Sequence, residues 1–271
     1  MRIAVIGDLM LDVSAEVVPR DNAEGALACY TGATWRYHPG GAALVASEIE
    51  RQDVAVDLYG CIGDDWAGME LLRVLHGFLG TRTRHVRVGM AVTTLKARAY
   101  CGGQIVTRLD REQPGLTMPA PLPDAPGDYA AIVLVGYCKG MFTGDGERTR
   151  ALIERAREAR VPVIINPHPA CDRGLWHGAT LATMNAAEWT ALGDIGAEWT
   201  AATRGAEGVT LYRGAQWAGE YETERVDDAQ VVGAGDAFTA ACAVKLAAGG
   251  AVPEAVWGAV RYATDYVRRQ R

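Results

Sequence analysis

No apolar stretch of roughly 18 residues or more, the length a membrane-spanning helix needs, occurs in the 271-residue chain. The most apolar window, AFTAACAVKLAAGGAV, is interrupted by Lys245, and the N-terminal apolar run is broken at Asp8, too early for a signal-peptide core. The six cysteines, Cys29, Cys61, Cys101, Cys138, Cys171 and Cys242, form no CxxC pair and no matched Cys/His spacing, which sets aside zinc-finger and thioredoxin-like readings. Scattered thiols in a chain of this size suit a reducing compartment, so a cytoplasmic protein with no membrane partner is expected. Basic charge is not in excess. The 27 Lys and Arg against 33 Asp and Glu leave a net charge of −6, a poor balance for neutralising nucleic-acid phosphates. The tightest basic cluster, Arg268, Arg269 and Arg271, reads as a solvated helix end. Internal repeats, low-complexity tracts and long linkers are absent as well.

What remains is ordinary globular composition, 49% hydrophobic and 22% charged, in a length that suits one large α/β domain with a small appendage. Short apolar runs recur at Arg2 to Gly7, at AVDLYG (55–60), AAIVLVG (130–136) and VPVIIN (161–166), with a weaker one at GVTLY (208–212). Such runs are the signature of buried parallel strands. Helix-like stretches lie between several of them, at 41–51 and 146–160, the second with Ala151, Leu152, Ala156 and Ala159 on one face. Alternating β and α elements predict a doubly wound α/β fold with a mainly parallel sheet. Residues 13–38, and AVTTLKARAYCGGQIVTRLD with a hairpin turn at Gly102-Gly103, break that rhythm. They predict a small β lid, residues 13–38 and 89–111, over an α/β body of residues 1–12, 39–88 and 112–271.

The sharpest chemical feature is Val232-Gly233-Ala234-Gly235-Asp236-Ala237-Phe238, opening a small-residue helix. Backbone N–H groups of Gly233, Ala234 and Gly235 at a helix start form a candidate anion hole. Asp236 in the first turn is a candidate general base beside it. Neither GxxxxGK[ST] nor GxGxxG fits, since Phe238 stands where the third glycine would be. Taken alone, GAGD reads first as a tight turn with an aspartate cap.

In its setting, this loop resembles that of the ribokinase-like (PfkB) family of carbohydrate kinases. The resemblance runs through Gly7-Asp8 and Asp12, Pro39-Gly40-Gly41-Ala42-Ala43, Gly60 to Asp64, Asn185 to Glu188, Thr203-Arg204-Gly205, Gly208, and Gly233 to Asp236, all in the family's order. Within that family the chain is most similar to the kinase domain of the bacterial D-glycero-D-manno-heptose 7-phosphate kinase/adenylyltransferases. The likeness lies in GDLMLD, in Thr94, Lys96, Arg98, Gln104, Arg108 to Asp110 and Glu112, and in Tyr137-Cys-Lys139-Gly140. It implies the kinase half of that activity, with ATP and Mg²⁺.

The resemblance also implies roles. Asp236 would deprotonate the attacking hydroxyl, and the glycine loop would hold the transferring phosphoryl group. Asn185 and Glu188 would organise Mg²⁺ through water; taken alone, the pair is a capping box. Lys139, Thr203, Gly205 and Gly208 would serve the nucleotide. Asp8, Asp12, Gly40, Gly41, Lys96, Arg98, Gln104 and Arg108 would serve the sugar, the cations suiting a substrate that already carries a phosphate. Exposed lid edges, usually covered, predict a homodimer through the lid. Four positions depart from the family pattern. Leu44 replaces a hydroxyl-binding Asn, Gln230-Val231-Val232 replaces Asp-Thr-x, Asn166-Pro167-His168 replaces Asp-Pro-Lys, and the sequence stops at Arg271. They keep two alternatives open, a non-catalytic sugar- or nucleotide-binding relative and a nucleoside kinase of the same fold.

Overall fold

A computed structural model describes residues 1–21, 29–32, 34–79, 83, 85–89, 92–113, 121–142, 146–226 and 231–270. Parts of the expected lid (22–28, 33 and 90–91), Gln230 and Arg271 lie outside the described residues.

The first strand, β1 (Arg2–Gly7), runs almost directly into β2 (Leu9–Glu16), with Asp8 alone between them. After the short β3 (Val18–Arg20) and β4 (Cys29–Thr31), β5 (Trp35–Gly41) leads into α1 (Ala42–Glu50), then β6 (Ala55–Gly63), α2 (Trp66–Leu79) and β7 (His85–Gly89). The hairpin β8 (Thr94–Cys101) and β9 (Gln104–Arg111) follows, turning at Gly102-Gly103. The rest of the chain supplies β10 (Ala131–Val135), α3 (Gly146–Glu158), β11 (Val163–Asn166), β12 (Leu181–Asn185), α4 (Ala186–Leu192), β13 (Trp199–Thr203), β14 (Val209–Arg213), β15 (Gln216–Tyr221), α5 (Ala234–Ala247) and α6 (Val252–Arg269).

Nine strands form the main sheet in the order β15-β14-β13-β12-β11-β10-β1-β6-β7, parallel from β13 to β7. Its central strands are apolar throughout because both faces are covered. In β1, Ile3 and Val5 face the core built with α1, α2, α5 and α6, while Ala4 and Ile6 face the one built with α3 and α4. The GVTLY run, β14, departs from the parallel rule. It pairs antiparallel with β13 and with β15 at the sheet edge. Helix α5 is small and apolar around nearly its whole circumference, which suits its place between the sheet, α1 and α6. The last turn of α6 is tied down by charge. Arg269 reaches the buried Glu48 of α1 (3.3 Å), which also accepts from Tyr262 (2.8 Å), and Arg268 pairs with Glu224 and Asp265. This end of α6 is therefore docked rather than merely solvated.

The second sheet has the order β5-β2-β8-β9. It starts at Leu9 and extends to Gly41, so Asp12 and Gly40, expected in the body, sit on lid strands. The reason is burial: Leu9, Leu11 and Val13 pack into the core that β2 shares with α1, α2 and β6. In the other direction, His85–Gly89 extends the main sheet. No helix among the described residues is long and apolar enough to cross a membrane. Of the six cysteines, expected as scattered thiols, Cys138 and Cys171 are joined by a disulfide with Cα atoms 5.6 Å apart. The two are 33 residues apart and follow β10 and β11, which are neighbours in the sheet, so the fold rather than the local sequence brings them together.

Candidate active site

The C-terminal ends of β10, β11 and β12 and the first turn of α5 enclose a cavity of about 460 Å³. It is lined by Tyr137, Asn166, Asn185, Glu188, Gly233 and Asp236, among others. Open α/β sheets place their ligands at this edge. Asp236 is buried there, and its Oδ1 accepts a hydrogen bond from the Tyr137 hydroxyl at 2.9 Å. Burial pushes the Asp236 carboxyl up to about 7, with the Tyr137 hydrogen bond acting in the opposite direction. A carboxyl titrating near neutrality is matched to general-base work.

Gly233 is the N-cap of α5 at a φ of 84°, a left-handed conformation that glycine adopts without steric cost. Of the three expected anion-hole donors, the N–H of Ala234 donates to the carbonyl of Val231 at 3.1 Å. The N–H groups of Gly233 and Gly235 meet no acceptor among the described residues. They are the donors left for an incoming anion.

Asn185 and Glu188 make both halves of a capping box. The Asn185 side chain accepts from the Glu188 N–H at 2.9 Å, and Glu188 Oε2 accepts from the Asn185 N–H at 2.8 Å. The local alternative is therefore real, yet it leaves Glu188 Oε1 over, at the wall of the same cavity. No cluster of three metal-ligating side chains occurs among the described residues. One free carboxylate oxygen suits a Mg²⁺ ion held mainly by water and nucleotide phosphates.

Thr203 closes this cavity and opens onto a second, largely apolar one of about 690 Å³. That cavity is lined by Gly205, Gly208, Val226, Val260, Ala263 and Val267, among others. A flat heteroaromatic ring fits such walls. Lys139, expected at the nucleotide, is turned elsewhere: its ammonium donates to Glu112 at 2.6 Å, and it lines neither cavity.

A third cavity, of about 780 Å³, lies between lid and body and includes Asp12, His38, Leu44, Arg98, Val232 and Tyr266 in its walls. Asp12 faces Lys96 across the parallel β2–β8 pair and His38 across β2–β5. A Cβ at Gly40 would collide with the Asp12 carboxylate, so only glycine lets that group lie against the strand. Arg98 pairs with Asp12 at 2.7 Å. Gly41 caps the start of α1 beside the Asp8 carbonyl, which accepts from the Ala42 N–H. Leu44 leans on the glycine loop: a Cβ on Gly233 would come within 2.7 Å of its methyl group.

Three expected sugar ligands are placed differently. Asp8 is only 2% exposed, and both its oxygens are engaged by backbone N–H groups, those of Tyr137 (2.8 Å), Lys139 (3.1 Å) and Met141 (3.1 Å). It holds an arch of chain rather than facing a cavity. Gln104 is exposed at the hairpin tip, and Arg108 is exposed and paired with Asp110 at 2.7 Å. Lys96 differs from the other lid cations. Its ammonium lies over the Tyr137 ring, 5.1 Å from the centroid, with no carboxylate in ion-pair distance among the described residues. Sequence reasoning missed Tyr137 as a partner of Asp236. The only signal was its place in the Tyr-x-Lys-Gly segment.

No family model matches the chain. Curated relatives include the bifunctional protein HldE of Halorhodospira halophila, 32% identical over 282 residues that cover 92% of this chain and 56% of that protein. HldE of Salmonella dublin is 30% identical, covering 94% of this chain and 57% of its own length. The chain thus spans little more than half the length of these relatives. Among solved structures, a putative ribokinase from Agrobacterium tumefaciens superposes with a TM-score of 0.78 at 20% identity, covering 98% of this chain and 91% of that one. Arabidopsis thaliana ribokinase, solved with ribose and ATP, gives 0.73 at 19% identity over 98% of this chain and 92% of that one. A Burkholderia thailandensis nucleoside kinase gives 0.68 at 17% identity over 100% and 92%.

Proposed function

We propose that the chain, which has the ribokinase-like fold and is similar to HldE, is a carbohydrate kinase of the PfkB family that transfers the γ-phosphoryl group of ATP to a hydroxyl of an already phosphorylated sugar, of the heptose 7-phosphate type. The observation that carries the phosphorylated substrate is Lys96. Arg98, Arg108, Arg111 and Lys139 are ion-paired with Asp12, Asp110, Asp65 and Glu112, while Lys96 makes no ion pair among the described residues and lies over the ring of Tyr137, which hydrogen-bonds the base. Burial pushes its ammonium below the ordinary lysine range, which an incoming phosphate would reverse. The likeness of the lid segment to heptose-phosphate kinases and the HldE relatives support the same class.

In this reading the sugar lies where the Gly40-Gly41 turn meets Tyr137 at the edge of the Asp236 cavity, with Asp12 opposite Lys96 on the lid side, and the adenine lies in the apolar cavity beyond Thr203. Asp236 takes the proton of the attacking hydroxyl, and the N–H groups of Gly233 and Gly235 stabilise charge on the transferring group. Mg²⁺, near Glu188 and Asn185, would neutralise charge on the phosphates of ATP. The chain acts in the cytoplasm, as a homodimer through its lid.

Leu44 sets the runner-up. It offers no hydrogen bond where the family places an Asn, which favours a nucleoside or another altered acceptor. The test is an ATP- and Mg²⁺-dependent phosphorylation assay over heptose 7-phosphates, other sugar phosphates, free sugars and nucleosides, with wild type and Lys96→Met. Losing one charge-assisted contact raises KM for phosphorylated sugars about 10-fold or more and leaves unphosphorylated acceptors unchanged. Equal KM values in the two proteins would remove Lys96. Turnover of nucleosides alone would move the assignment to the runner-up, and no turnover with any acceptor would favour a non-catalytic relative.

A further inference from the structure

Resting on Asp236 as the base, we propose that Tyr137 is its positioning residue, a neutral phenol that fixes one carboxylate oxygen so that the other faces the substrate hydroxyl. The hydrogen bond from Tyr137 Oη takes Oδ1 at 2.9 Å and leaves Oδ2 for the acceptor. The phenol is itself held from several sides. Its backbone N–H is one of the three gathered by Asp8, the ring packs near Gly41, Lys96 lies over its face, and the next residue is tethered to Cys171. A donor fixed by this many contacts loses little freedom in gripping the carboxylate, so the grip is preorganised.

The choice of donor also has a chemical consequence. An arginine or lysine in this place would depress the carboxyl and weaken the base, whereas a carboxylate with no donor would sit uncompensated in a buried site. A neutral phenol lies between these extremes. It remains a donor at every working pH, because burial and the adjacent Asp236 push its own ionisation well above the ordinary tyrosine range. The other charged or titratable groups around Asp236 are Asp12 from β2, Lys96 from β8, Glu188 from α4 and Tyr266 from α6. Asp12 and Glu188 raise the carboxyl and Lys96 lowers it, and Tyr137→Phe leaves these charges in place.

The experiment compares the full chain with Tyr137→Phe in two measurements. In steady-state turnover of a sugar phosphate, the variant loses about 10-fold or more in kcat, as expected for one hydrogen bond to a charged group, with KM for ATP unchanged. Its acid limb of kcat against pH moves to higher pH. The second measurement needs no turnover. The Asp236 carboxyl, labelled with ¹³C and assigned by its absence in Asp236→Asn, is titrated by NMR, and its midpoint rises in the variant. A midpoint and acid limb identical to wild type would overturn the proposal. If wild type phosphorylates nothing yet the midpoint rises, Tyr137 holds Asp236 and the kinase reading alone has failed.

Discussion

At the scale of single residues, Asp236 is a carboxylate whose charge folding disfavours. Its ordinary value of 3.8 is raised to about 7 in the folded chain. Catalysis needs the ionised form, so kcat is expected to rise with pH through about 7. Stability runs the other way. Between about 4 and 7 the folded chain binds more protons at this group than the unfolded chain, so stability declines as pH rises across that window, and the deficit is complete above it. Asp236→Asn removes the titration. At pH 8 the variant should melt higher than wild type, by about 2–4 °C for each kcal/mol relieved, and the gain should vanish near pH 4. The same variant should lose about 10²–10⁴-fold in kcat. Calorimetry should show unchanged ATP affinity, because the loop N–H groups remain.

At the scale of elements, the turn before α5 decides whether donors and base share one site. A Cβ on Gly233 would lie 2.5 Å from the Tyr266 hydroxyl and 2.7 Å from Leu44, in a backbone conformation that costs other residues about 1–2 kcal/mol. Gly233→Ala should lower the melting temperature by about 2–8 °C and weaken ATP binding, read by scanning and titration calorimetry. Residues 233–236 were legible in sequence because the whole device is contiguous. So were β1, β6, β10 and β11, whose apolar runs fill both faces of the sheet. β12 (LATMN) and β13 (WTAAT) were not, because alanine interrupts each of them and neither holds the continuous aliphatic run that marks the central strands; their neighbours place them. The Tyr137–Asp236 bond joins residues 99 apart in the chain, and the matching of Lys139 to Glu112 crosses between elements. Neither leaves a local pattern. Asp8 was read as a sugar ligand for the same reason, since its three backbone partners lie more than 120 residues downstream.

At the scale of the whole molecule, the small sheet leaves β9 as an edge, with Ile105 53% and Leu109 71% exposed on it. An unpaired edge that carries two exposed aliphatic side chains invites pairing with a second copy. Sedimentation velocity at micromolar concentration should find a dimer, and Leu109→Glu should shift it toward monomer while sparing the melting temperature. A monomeric wild type would reject the lid-mediated assembly. The join between the two sheets has a mechanical meaning too. Gly7 ends one and Leu9 begins the other, with Asp8 alone as the fulcrum of this crossing. The carboxylate of that fulcrum grips the same arch that bears the phenol holding the base. The segment that carries Tyr137, and through it the hydrogen bond to Asp236, is thus anchored at the point where the two sheets join.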